Sequence, residues 1–270
     1  MGLYQGRALA AGPRRTRGPR PLPSRVLRVA LVMLALGVLV QLPWGTLRAR
    51  LFKVTDLEVV GAHYLDAARV LSLAGLAPGQ DVFAADLARA RQALLLDPRV
   101  ASAEVRRRLP QGLSVRIVER EPVMLVSHGV PWEIDSGGVL LPPLQPGVVA
   151  DVPLLVGPRF LGLPAGARVD RPDVRRGLAW VRALGVPELK LAGQVSEVDV
   201  SDAWLTALTL LDGTRVLAPV WPPGTARLSA LRATLLDLKQ RGITAGEVDL
   251  RFDNQVIVRP VATAEGRQRG

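Results

Sequence analysis

Two histidines, His63 and His128, are the only imidazoles in the 270 residues, and there is no cysteine. A thiolate nucleophile, a disulfide and a thiolate metal site are excluded, and two distant imidazoles would leave a metal little but carboxylates. His63 follows Gly61 and His128 precedes Gly129, so both are expected in exposed turns. A serine hydrolase presents its nucleophile on a sharp strand-to-helix elbow, and no Gly-x-Ser-x-Gly occurs. Gly157, Gly162 and Gly166 are interrupted by prolines and open no helix, which makes them turn glycines rather than a phosphate cradle. The run Arg106-Arg107-Arg108 has the charge to grip acidic lipid heads but reads first as a solvated strand end. Tryptophans at 44, 132, 180, 204 and 221 are too scattered for a nucleic-acid stacking platform, and Trp180 and Trp204 are expected in the core. The residues point to no enzyme and imply no cofactor, metal, small-molecule substrate or nucleic acid.

With no chemistry to position, the organising element is the apolar stretch Val26 to Leu47. A membrane-spanning helix needs roughly 20 mostly apolar residues, and this stretch reaches that length if Arg28 snorkels at one edge and Trp44 lies in the far interface. Seven of the 35 basic residues precede residue 29, with no acid among them, leaving 28 basic against 24 acidic residues in the remainder. The formal charge of +11 is thus concentrated beside the span, where the positive-inside rule holds that end in the cytoplasm. The small-residue pattern of a signal-peptide cleavage site is missing after the apolar run, which favours a retained anchor.

Residues 1–25, rich in Arg, Pro and Gly, are expected to be a disordered basic tail. Phe52 to Val60 alternates as a strand. Asp66 caps a helix ending at Gly75, and Asp86 caps a second with Leu87, Ala90 and Leu94 on one face. Two strands follow: Val100 to Arg108, with Ala101, Ala103 and Val105 inward, and Leu113 to Arg120, with Leu113, Val115 and Ile117 inward. The order is β-α-α-β-β. From 121 to 260 the pattern is mostly strands and turns with two inserted helices. One is opened by Pro172, with Val174, Leu178 and Val181 aligned; the other is capped by Thr225, with Leu228, Leu231, Leu235 and Leu238 on its buried face. Asp212-Gly213 marks a hairpin, and a last pair, Glu247 to Phe252 and Gln255 to Arg259, turns at Asp253-Asn254. Residues 261–270 read as a polar tail.

This succession resembles the FtsQ/DivIB family of bacterial cell-division proteins. The resemblance is carried by Phe52-Lys53-Val54 with Val59-Val60-Gly61, Asp97-Pro98-Arg99-Val100, Arg107-Arg108-Leu109-Pro110 and Val118-Glu119-Arg120-Glu121-Pro122-Val123. Glu133-Ile134-Asp135 with Gly138, Leu208-Thr209-Leu210 with Asp212-Gly213, and Val248-Asp249-Leu250-Arg251-Phe252 follow in order. It implies an α+β protein: a transmembrane helix at 26–47, a POTRA domain at 52–120 and a mostly antiparallel β domain at 121–260. It also implies a single-pass protein of the inner membrane, its folded part outside the cytoplasm, concentrated at the septum. There it would act as a divisome scaffold holding the FtsB/DivIC and FtsL coiled-coil pair.

In that family the partner adds a strand at the end of the β domain. By motif this points to Asp249, Arg251 and Phe252, and by position to Val256, Ile257, Val258 and Arg259. Phe252 stands where many relatives carry Tyr, and residues 218–226 differ from the Gly- and Lys-rich connection common among them. Taken on the residues alone, the last strand completes its own sheet; the resemblance turns its free backbone groups into a site for β-augmentation. The alternative is a POTRA-bearing component of protein secretion or outer-membrane assembly, against which stand the single unit and the missing barrel pattern.

Overall fold

The computed structural model describes residues 24–41, 45, 51–145, 147–253 and 255–261. The chain divides into two units, Met1–Leu51 and Phe52–Gly270. In the first, the apolar residues form α1, Ser24–Gln41. At about 1.5 Å rise its 18 residues measure about 27 Å, short of a hydrocarbon core of roughly 30 Å. Among the described residues no helix is long and apolar enough to cross a membrane. Most of the remaining apolar run, residues 42–44 and 46–47, lies outside them, as do the basic tail before residue 24 and the polar tail from 262.

The second unit begins with β1 (Asp56–Val60), α2 (Ala67–Ala74), α3 (Leu87–Leu95), β2 (Val100–Arg108) and β3 (Gly112–Glu119). The Asp66 carboxylate accepts from the Arg69 N–H, and Asp86 from Arg89, so both helices start where an acidic cap satisfies an orphan donor. Gly75 ends α2 at φ 65°, a left-handed turn that suits glycine. The sheet order is β1-β3-β2, with β1 parallel to β3. Val70, Leu94, Leu113 and Val115 are fully buried between helices and sheet. The Glu119 carboxylate accepts the backbone N–H groups of His63, Tyr64 and Leu65 at 2.9, 2.7 and 2.9 Å, tying the loop after β1 to the end of β3.

Next come β4 (Pro122–Ser127), β5 (Pro131–Asp135), β6 (Leu140–Leu141), β7 (Leu154–Val156), α4 (Pro172–Leu184), β8 (Val195–Asp199), β9 (Leu205–Leu210), β10 (Arg215–Pro219), α5 (Thr225–Gln240), β11 (Ala245–Asp249) and β12 (Ile257–Pro260). The strands form one sheet ordered β12-β11-β10-β9-β8-β7-β4-β5-β6. Register decides its two faces. Leu155, Val198, Leu208, Val216 and Val248 pair in one row, and all are buried in the core cluster with Val174, Trp180 and Leu184 of α4 and Leu228 and Leu231 of α5. A row one residue away reads Glu197, Thr209, Arg215, Glu247 and Arg259, and this face is solvated. Helix α4 lies close on the sheet: a Cβ on Gly177 would fall 2.5 Å from Leu155 Cδ1.

The small and large sheets are joined through Arg99, 3% exposed, just before β2. Its Nη2 lies 2.6 Å from Glu133 Oε2 on β5 and 2.7 Å from the Pro142 carbonyl, while Glu133 Oε1 accepts the Ala150 N–H at 2.9 Å. Arg99 Nε and Nη1 have no partner among the described residues. A second pair, Arg120 to Asp135 at 2.8 Å, lies beside it.

Several expectations are corrected. The fold is α+β and the large sheet more antiparallel than parallel, yet β4/β7, β7/β8 and β10/β11 pair parallel; for the last two, a single helical crossover, α4 or α5, returns the chain in the same direction. A bulge between Val100 and Ser102 shifts the phase of β2, so Val100 is buried and Ala101 exposed. On α4 the buried stripe is Val174, Gly177, Trp180 and Leu184, with Leu178 and Val181 half-buried. Thr225 is the first residue of α5; Gly224 caps it, and Leu235 and Leu238 are only half-buried. Trp204 is 87% exposed, held outside β9 by a turn in which the Asp202 carboxylate accepts its N–H. His128 is half-buried, its ring stacked on Trp132 at 4.0 Å and its Nε2 2.9 Å from the Leu163 carbonyl.

Candidate partner-binding edge

Strand β12 ends the sheet order, and among the described residues no strand pairs with its outer side. In an antiparallel pair alternate residues direct N–H and C=O away from the partner, so an edge strand keeps a row of unmet donors and acceptors. Strand β11 holds β12 in place, fixed on its other side by parallel pairing with β10 through Glu247, Val248 and Asp249.

Asp249 closes β11 with a carboxylate in a residue only 3% exposed, and such a group needs donors. Arg251 supplies them: Nε to Oδ1 at 3.0 Å, Nη2 to Oδ2 at 2.7 Å, and its backbone N–H to Oδ1 at 3.0 Å. Hydrogen bonds from the Arg251 side chain hold the Asp249 carboxyl below the usual carboxylate range, outweighing its desolvation, and the same contact raises Arg251. Asp-x-Arg is therefore a self-contained clamp that fixes the turn after β11 and directs Phe252 outward, 45% exposed. Ile257, 38% exposed, pairs with Asp249, and Arg259 Nη1 lies 2.6 Å from Glu247 Oε1 across the two strands.

The seven residues thus divide by role. Asp249, Arg251 and Arg259 are engaged with the chain's own charges, Phe252 and Ile257 present apolar surface, and Val256 and Val258 pack their side chains against the core. The observed strands are shorter than the sequence reading: β11 stops at Asp249 and β12 starts at Ile257, so Phe252 lies in the connection, not in a strand. Two neighbours were not foreseen. Glu247 pairs with Arg259, and Arg227 of α5 pairs with Asp253. The first follows from register, which opposite charges twelve residues apart across a turn could have suggested; the second needs the position of α5.

Other chemistry does not assemble. Among the described residues no three His, Asp or Glu side chains are grouped to hold a metal ion. The arginine run is occupied internally: Arg106 pairs with Glu104, Arg107 donates to the Val82 and Ala85 carbonyls, and Arg108 pairs with Glu58.

The family model for the POTRA domain of FtsQ type matches residues 52–120. Among curated proteins the chain is similar to the cell division protein FtsQ of Rhodothermus marinus, 31% identical over 266 residues that cover 93% of this chain and 95% of the relative. It is likewise similar to the cell division protein FtsQ of Myxococcus fulvus, 27% identical over 246 residues covering 91% and 86%. The corresponding protein of Anaeromyxobacter sp. (strain K) is 27% identical over 219 residues, covering 77% and 74%.

Proposed function

The chain belongs to the FtsQ family of cell-division proteins, and we propose that it is a membrane-anchored scaffold that recruits its partners by strand addition at β12. It is a cell-division protein and not an enzyme. The observation that carries the finer reading is the outer side of β12, unpaired among the described residues, beside the exposed Phe252 and Ile257. An incoming strand would satisfy the outward backbone groups while its side chains meet those two residues. The expected donor is an FtsB/DivIC-like protein bound with an FtsL-like one.

The anchor in this reading is the apolar run 26–47, of which α1 is the described part, with the arginine-rich end cytoplasmic and the domains at 52–120 and 121–260 outside, at the septum. The seven arginines before residue 29 support that orientation.

The test is a photo-crosslinking residue at Ile257 in dividing cells, with Ser114 on β3 as comparison. Capture at Ile257 of a small single-span coiled-coil protein is the expected result. An outer-membrane barrel or a secretion substrate would transfer the reading to the alternative above. No capture would leave β12 as ordinary sheet.

A further inference from the structure

The C-terminal half of α5 leaves an apolar groove of about 720 Å³ where it passes over the starts of β10 and β11. Leu210, Leu235, Leu238 and Ala245 line it, and Leu211, Leu236 and Ile243 carry its apolar surface outward at 72, 52 and 43% exposure. The charged residues of its lining are three cations, Lys190, Arg232 and Lys239, against one acid, Asp212, whose Oδ1 already accepts the Thr214 N–H. Among the described residues none of the three cations has a carboxylate partner; Arg232 donates to the Glu188 carbonyl. Lys190 is the one non-glycine residue of the described chain at positive φ, 50°, and its carbonyl accepts from Gln194 Nε2 at 2.8 Å. Strain of that kind collects at binding surfaces. The groove also adjoins the far end of the free edge: its residue Thr244 accepts the Val261 N–H, and Ala245 pairs with Pro260.

We infer that this groove seats an acidic, apolar-bearing segment of the same protein whose strand adds to β12, entered as that segment runs past Pro260. The inference rests on the edge reading of the preceding subsection. An apolar floor under three cations that have no carboxylate partner among the described residues favours a chain that brings Leu-like side chains and carboxylates together, and repels a basic one. Adjacent seats on one chain reinforce each other, because the second is filled at the high local concentration set by the first.

The experiment places a photo-crosslinking residue at Leu236 in one copy of the full chain and at Ile257 in another, in dividing cells, and maps the captured peptides. The expected result is one protein captured at both, the Leu236 peptide carrying acidic and apolar residues. In Arg232→Glu/Lys239→Glu, capture at Leu236 should fall at least about ten-fold, as expected when two favourable charge pairs become repulsive. Capture at Ile257 persists in that variant, which also shows that it is folded. Capture at Ile257 with none at Leu236, a different protein at Leu236, or capture there indifferent to charge reversal overturns the groove alone. Absence of capture at Ile257 overturns the edge reading, and the inference falls with it.

Discussion

Arg99 and Glu133 hold the small sheet to the large one, and their removal gives the sharpest test of how this protein is built. Both are nearly inaccessible, 3 and 4% exposed, and meet at 2.6 Å. Breaking a buried pair by deleting one partner costs about 3–5 kcal/mol, chiefly because the survivor stays buried and unpaired. The two partners are unequal here. Arg99 carries two nitrogens, Nε and Nη1, with no acceptor among the described residues, so Arg99→Met also removes donors that are costly to leave unmet, and its loss should be about 3 kcal/mol. Glu133→Leu leaves the buried guanidinium without its counter-charge, held only by the Pro142 carbonyl, and orphans the Ala150 N–H as well, so it should reach about 5 kcal/mol. The double variant places two apolar side chains together and should lie within about 1 kcal/mol of the original. For a folded part of this size each kcal/mol shifts Tm by about 2–4 °C. The single variants, as full chain in detergent, should melt roughly 6–12 and 10–20 °C lower, and the double near the original, by near-ultraviolet circular dichroism. Equal single losses, or a double loss equal to their sum, would refute this account of the joint.

Three further outcomes follow. Because Arg251 lowers the Asp249 carboxyl below its unfolded value of about 3.9, the clamp stabilises fully above that pH and is lost as pH falls through the lower folded value. Unfolding of Asp249→Asn against the original between pH 7 and pH 2 should therefore converge in the acid range; parallel curves would contradict it. Glu119→Ala, which frees three backbone donors, should cost about 2 kcal/mol in denaturant unfolding, and a loss under about 0.5 kcal/mol would deny its role. Trp204→Ser should change stability by no more than about 0.5 kcal/mol, since its side chain meets mostly solvent.

What could be read from the residues was what depends on local chemistry. Asp66 and Asp86 as caps, Gly75 as a left-handed stop and Asp212-Gly213 as a hairpin all act within a few residues, and all four stand in the structure. What escaped depends on partners distant in the chain. Ala101 alternates correctly on paper, but the bulge opposite Val118 and Glu119 moves it to the surface. Trp204 is apolar enough for a core, yet the Asp202 turn places it before β9 begins. At the edge, motif and position pointed to residues 249–259, but not to the inward turn of Val256 and Val258 or to the uptake of Arg251 by Asp249.

The parallel pairing of β10 with β11 has a consequence in time. A chain emerges from its N-terminus and folds as it lengthens. Until α5 has crossed back and residues 245–249 have followed, the sheet ends at β10, and β12 has nothing to lie against before that. A molecule halted between residues 249 and 257 holds the small sheet and every strand of the large one but β12, and its sheet ends at β11 instead. The β12 edge is thus the last border of the large sheet to form, after every other described strand has a place to lie.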